Sequence, residues 1–180
     1  MVSAVTMDTR QRIQAVAREL FAQKGVQKTS LQDIADRLEI TKPALYYHFS
    51  SREELVRSIV EPLLIAGEAA VEELEKAPDP QARTVFQVFF DFHYGHRDVV
   101  QFLLVEPAAL AELGLIDRVI NWRERTAAIL HGPDPSVEQK IRTTVALGGL
   151  ADAATLFTDV PEAQLRAAAV EAAMGAFSSS

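Results

Sequence analysis

Cysteine is missing from all 180 residues. That excludes disulfide staples and thiolate metal sites, and it fits a reducing compartment. No apolar run is long enough to span a bilayer. No stretch shows the basic start, apolar middle and small-residue cleavage site of a signal peptide. These absences lead to the expectation of a cytoplasmic protein with no membrane partner. No segment alternates apolar and polar residues with the period of a β-strand. Nucleophile-elbow, dinucleotide, phosphate-loop and zinc-protease patterns do not occur, so an enzyme is not expected and no cofactor is implied. Positive charge is in short supply: 18 Lys and Arg stand against 25 Asp and Glu, for a net charge of −7.

What is present is ordinary for a folded chain, with 48% hydrophobic and 24% charged residues and a length that accommodates a core. The charge is unevenly placed. Residues 1–57 hold nine basic and seven acidic side chains, a local +2, whereas residues 58–180 hold nine and eighteen, or −9. Screening over about 10 Å lets the local excess act by itself. The N-terminal third therefore suits phosphate, and the acidic remainder does not.

Helical periodicity runs through nearly the whole chain. Ile13, Val16, Ala17, Leu20 and Phe21 line one face of a first helix, which Gly25 is expected to end in the left-handed conformation. Ser30 and Asp33 form a capping-box signal for a second helix with an inward face of Leu31, Ile34, Ala35 and Leu38. Thr41 caps a short third helix running to about Phe49, with Pro43 in its first turn. Ser51 and Glu54 open a fourth, in which Pro62 is expected to make a kink or a break. Ala77-Pro78-Asp79-Pro80 reads as a linker. Pro107, Gly114 and His131-Gly132-Pro133-Asp134-Pro135 punctuate further helices. Ser136 with Gln139 opens another, and Asp159, Pro161 and Glu162 open the last. Ser178-Ser179-Ser180 reads as a tail. The expected fold is all-α.

The second and third helices are joined by a tight turn near Glu39-Ile40-Thr41, which makes them a helix-turn-helix. Leu45 and Phe49 lie four apart and face inward. Pro43 and Tyr47, flanked by Ala44 and Tyr46, then face outward, and Lys42 projects from the amino end. A cation, two phenols and small apolar groups suit a helix lying in the major groove of double-stranded DNA. The amino ends of the second, third and fourth helices offer N–H groups to phosphates. Thr29, Ser30, Thr41 and Arg52 stand at or near those ends. His48 is open to phosphate contact or to packing against the first helix. Arg52 is open to phosphate contact or to support of the fourth helix's first turn.

These residues resemble the DNA-binding domain of the TetR (tetracycline-repressor) family. The features that carry the resemblance are Phe21 followed by Gly25, then Thr29-Ser30 with Ile34-Ala35, then Leu45-Tyr46-Tyr47-His48-Phe49, then Arg52 with Leu55. They occur in the family's order and at its spacing over Thr9 to Arg57. The resemblance implies base contacts from Lys42, Pro43 and Ala44, and a contact by Tyr47 shared between base and backbone. It implies phosphate contacts from Thr29, Ser30, Thr41, Tyr46, His48 and Arg52. It divides the chain into an N-terminal three-helix helix-turn-helix domain, 1–57, and a C-terminal helical ligand-binding and dimerisation domain, 58–180.

The C-terminal part carries no motif of its own. Phe86, Phe89 and Phe90 form a helix face and are first of all a core. With Tyr94, Phe102, Trp122 and Phe157 they also offer the aromatic surface of a ligand pocket, which the resemblance implies. His93 and Arg123 are the polar candidates for reaching into it. His93 and His96 have no evident third partner for a metal, so no metal site is expected. Gly148 and Gly149 interrupt an apolar helix and suggest close helix approach at a subunit interface. Leu165, Ala169, Ala172 and Phe177 on the last helix fit the same interface, and the resemblance implies a homodimer through the final two helices. The expected function is a ligand-responsive regulator, a repressor released from a palindromic operator by a small-molecule effector. The alternative is a ligand-independent architectural DNA-binding factor.

Overall fold

The structure is a computed structural model and describes residues 8–105 and 114–178. Those residues form α-helices and no strand: α1 Thr9–Lys24, α2 Leu31–Leu38, α3 Lys42–His48, α4 Arg52–Lys76, α5 Ala82–Gly95, α6 Arg97–Val105, α7 Leu115–His131, α8 Val137–Leu156 and α9 Glu162–Ser178. The all-α fold expected from periodicity is the one observed. The break expected at Pro107 and the serines at 179 and 180 lie outside the described residues.

Contacts sort the chain into two compact units. The first holds the residues up to Pro62 and takes in the end of α6 from Phe102. Its core is made by Ile13, Ala17 and Phe21 of α1, Ile34 and Ala35 of α2, Leu45 and Phe49 around α3, and Leu55 of α4. Burying side chains of this size contributes roughly 1.5–3 kcal/mol each. The local signals act as read. Ser30 Oγ accepts the Asp33 N–H at 3.1 Å while the Asp33 carboxylate accepts the Ser30 N–H at 2.8 Å. Ser51 Oγ accepts the Glu54 N–H at 3.1 Å, but the Glu54 carboxylate reaches past it to the Ser50 N–H at 2.8 Å. Gly25 ends α1 at φ 84° and ψ 153°. Its φ is positive as expected, but its ψ is extended rather than left-handed helical, a combination open to glycine alone.

Pro62 does not interrupt α4, which runs unbroken for 25 residues. The proline removes the N–H that would have served the Ser58 carbonyl. Gln14 of α1 replaces it, its Nε2 donating to Ser58 O at 3.2 Å and to Ser58 Oγ at 3.0 Å. Pro62 itself lies on an exposed face, so its ring displaces nothing in the core.

The second unit holds Leu63–Gln101 and the residues from Gly114. Val71 and Leu74 of α4, Val85, Phe86, Phe89 and Phe90 of α5, Trp122 of α7, Leu147 and Leu150 of α8, and Leu165 and Val170 of α9 form one core. Ion pairs rim it. Arg166 holds Asp91 through two bonds of 2.6 and 2.8 Å, and Arg125 holds Glu75 through two of 2.8 Å while also pairing with Glu68. Ser136 and Gln139 form the expected capping box of α8. The last helix starts at Glu162, so Pro161 stands just before its first turn rather than inside it.

Candidate nucleic-acid interface

α3 has only seven residues, and burial sorts its faces sharply. Leu45 and, one residue past the helix, Phe49 are fully buried. Thr41 caps the start, its Oγ1 accepting the Ala44 N–H at 3.3 Å. The other end is held from α1. Arg10 donates Nη1 to the His48 carbonyl at 2.8 Å, and its guanidinium lies 4.2 Å above the Phe49 ring. With the inner face and both ends anchored, Lys42, Pro43, Ala44, Tyr46 and Tyr47 remain exposed. Tyr47 is 87% exposed. A ring that size standing in solvent contributes little to the core beneath it. The Lys42 ammonium lies 5.8 Å from the centre of the Tyr46 ring.

The amino ends of α2 and α4 flank α3 around a cleft of about 350 Å³, lined by Ser30, Gln32, Lys42, Tyr46, Ser50 and Arg52 among others. A cap satisfies one of the four N–H groups left over at a helix start, so the others remain for solvent or an anion. The caps also hold negative charge here. The Ser30 hydroxyl and N–H keep the Asp33 carboxyl below its ordinary range, and the same two groups of Ser50 do so for Glu54. Anion contact at this cleft must therefore come from the cations and from the remaining amides.

Two of the expected phosphate contacts, Thr29 and Arg52, make other hydrogen bonds in the structure. Thr29 is turned inward. Its hydroxyl donates to the Gly25 carbonyl at 2.9 Å and its N–H to the Val26 carbonyl at 3.2 Å, which leaves neither for DNA. It serves the α1–α2 turn, where a buried hydroxyl must have a partner. Arg52 donates to the carbonyls of Val26 and Gln27 and to Gln27 Oε1, all at 3.2 Å, so it ties the first turn of α4 to that same turn. His48 is half-buried, its ring edge-on to Tyr47 at 5.3 Å. Ser30 and Thr41 stay exposed. Arg10, Gln32 and Ser50 belong to the site or its support and have no sequence signal beyond their polarity. Each is recruited from another element by the fold.

The residues expected to line a ligand pocket do not form one wall. Phe86, Phe89 and Phe90 are core, and Phe86 meets Phe177 edge-on at 5.5 Å. Trp122 is core as well, donating Nε1 to Glu68 at 2.9 Å. Phe102 belongs to the first unit, where its ring lies 5.8 Å from Phe21. Phe157 is exposed just past the end of α8. Arg123 lines a surface groove of about 260 Å³ with Lys140 and Thr144. Tyr94 stacks on Phe90, and His93 beside it is pushed down to about 4 by burial and by the charges of Arg123 and His96.

The expected interface residues divide in the same way. Leu165 and Ala169 are buried within the chain, and Phe177 packs on Phe86 and His131, because this face of α9 lies against the core of the unit. Ala172 and Gly149 are exposed and Gly148 is half-buried. Among the described residues, no atom crowds the place where a side chain at either glycine would begin. Elsewhere on α8, Val137, Ile141, Val145 and Leu156 are all more than half exposed.

Residues 13–59 match the family described as bacterial regulatory proteins, tetR family. The probable acrEF/envCD operon repressor of Escherichia coli K12 is 36% identical over 90 residues, which are 44% of this chain and 38% of that protein. The match thus spans well under half of the curated relative. A transcriptional regulator from Aquifex aeolicus VF5 superposes with a TM-score of 0.71 at 25% identity, over 92% of this chain and 97% of that one. A SmeT–triclosan complex superposes with a TM-score of 0.69 at 20% identity, over 93% and 90%.

Proposed function

We infer that this chain, which belongs to the TetR family of bacterial regulatory proteins by its residues 13–59, is a homodimeric repressor released from a palindromic operator by a small molecule. The observation that carries the reading is α3, with Leu45 and Phe49 fully buried and Tyr47 87% exposed beside Lys42, Pro43 and Ala44. A helix held so firmly from within and so open without has the geometry of a reader of the major groove. In this reading residues 1–57 bind DNA, and residues 58–180 bind the effector and the second subunit. Lys42, Pro43, Ala44 and Tyr47 meet bases, while Ser30, Thr41 and Tyr46 meet phosphates.

Dimerisation follows from the task and from the surface. One short helix reads few bases, and two related by a two-fold axis read a palindrome. The exposed stripe Val137, Ile141, Val145 and Leu156 is the kind of apolar face that a partner covers. A groove of about 320 Å³ between α8 and α9, lined by Ala153, Phe157, Val160, Leu165 and Ala168, continues it. Effector release is supported by a relative of the same fold caught with a small molecule, triclosan. An effector that favours the conformation with unsuitable helix spacing draws the dimer off DNA.

The experiment is a mobility shift on the chain's own promoter region, comparing the parent with Tyr47→Ala and Lys42→Ala. Loss of a specific shift, with folding and dimer intact, is expected for both. A shift indifferent to both changes, or one on any DNA that vanishes with salt, overturns the reading.

A further inference from the structure

Where α5 gives way to α6, two buried polar atoms have no hydrogen-bond partner: Nδ1 of His93 and Nη1 of Arg97. Buried donors without acceptors are rare because their desolvation goes uncompensated, most of all at a charged group. His93 lies within the field of Arg123 and of His96. His96 is itself satisfied, its Nδ1 2.8 Å from the Phe92 carbonyl. Asp91 on the same helix is held by Arg166. The lining is aromatic. The Arg97 guanidinium lies 4.7 Å above the Tyr94 ring, and the Phe92 ring stands edge-on to His93 at 4.8 Å and to Trp122 at 6.1 Å.

We propose that this corner receives the acidic group of the effector, a carboxylate that accepts from Arg97 Nη1 and His93 Nδ1 while the ligand's apolar body packs on Tyr94 and Phe92. The proposal rests on the regulator reading above and gives the ligand its chemical class. A guanidinium matches a carboxylate better than any neutral group does. A neutral carbonyl can accept from Nη1 but leaves the guanidinium charge uncompensated. The unliganded chain keeps a buried guanidinium nitrogen without a hydrogen-bond partner, and an anion that binds there stabilises the fold by supplying one. Arg123 adds attraction through its charge.

The test uses the whole chain and four probes at millimolar concentration: octanoate and benzoate, each against its neutral counterpart, octanamide and benzamide. Thermal melts and titration calorimetry are the readouts. At least one acid is expected to raise the melting temperature while its amide does not. Arg97→Met is expected to melt higher than the parent without ligand and to weaken acid binding by about tenfold or more. Arg97→Lys retains the charge and part of the binding. His93→Gln weakens the acid without lowering the unliganded melt at neutral pH. Equal shifts from acids and amides, an acid shift that survives Arg97→Met, or no shift from either acid overturns the proposal. The operator mobility shift run on the same samples separates the two readings. A normal operator shift with no response to acids removes the site and leaves the regulator. Acid binding by a chain that shifts no DNA removes the regulator and leaves the site.

Discussion

Gly67 lies on α4 where the Trp122 ring needs room. A Cβ placed there would clash with three atoms of that ring, two of them at 2.8 Å. The neighbouring Glu68 accepts the indole N–H, so the ring is held against the glycine and cannot turn away. Gly67→Ala is therefore expected to destabilise the fold by roughly 1–3 kcal/mol, the usual cost of overpacking. Urea unfolding measures it, and an unchanged midpoint would mean that the indole moves freely. Glu39 presents the opposite case. It sits in the α2–α3 turn at φ 56° and ψ 37°, a left-handed conformation that costs a side-chain-bearing residue about 1 kcal/mol. Glu39→Gly relieves that strain but frees the unfolded chain. The expected result is a melting temperature unchanged or slightly raised. A drop would show that the Glu39 side chain contributes more than the turn costs it.

At the scale of elements, α4 survives its proline through a bond lent by α1. Gln14→Leu should cost about 1 kcal/mol, the worth of a part-buried hydrogen bond, because it orphans the Ser58 carbonyl. In a Pro62→Ala background the helix supplies its own N–H to that carbonyl, so the same change should cost less. A double-mutant cycle by urea unfolding is expected to show coupling of about 0.5 kcal/mol or more. Additive effects would mean that Gln14 does not compensate the proline. α8 makes a different demand. Its inner residues Leu147 and Leu150 are core, and its outer residues Ile141 and Val145 are bare. If a second copy covers that stripe, Val145→Asp puts a charge where no counter-charge waits. Sedimentation should then show a monomer with an unaltered helical spectrum, and operator affinity should fall about tenfold or more. A dimer that persists would place the interface on another face.

At the scale of the whole molecule, stability should depend on pH in a way traceable to one ring. Burial first, and then the charges of Arg123 and His96, push His93 down to about 4 in the folded chain, against an ordinary value of 6.5. Between those values the unfolded chain binds more protons than the folded one. Stability is therefore fully present above about pH 6.5 and is lost as pH falls toward 4. The contribution reaches at most about 3 kcal/mol at about 1.4 kcal/mol per unit. Urea midpoints for parent and His93→Gln should match at pH 7.5 and separate toward pH 5, the parent falling further, since the variant has no imidazole to protonate. Parallel curves would show that His93 is hydrated. Net charge matters at this scale too. A chain of −7 that binds DNA does so through a local surface, and its affinity should fall steeply with salt.

Periodicity, caps and the helix-turn-helix pattern were legible without coordinates because they are local. Ser30 with Asp33, Thr41 with Pro43, and the spacing of Leu45 and Phe49 act within a turn or two of chain, and the structure repeats them. The outward face of α3 followed from its inward one. The reading went astray where a side chain's partner comes from another element. Nothing near Thr29 or Arg52 in sequence says that their donors are taken by carbonyls at the end of α1 and in the turn after it. Nothing near Phe102 says that it leaves the other aromatics for Phe21. The small residues of α9 suggested an interface, but which of them face inward depends on where α5 and α8 lie. The sequence by itself determined an all-helical chain with a short helix near its start whose inner and outer faces are fixed, since hydrophobic period and capping are properties of neighbouring residues. Only the tertiary structure decided which donors are already taken, which glycine admits a ring, and which buried guanidinium nitrogen is left without a hydrogen-bond partner. Those are facts about distances between residues that the chain order keeps apart.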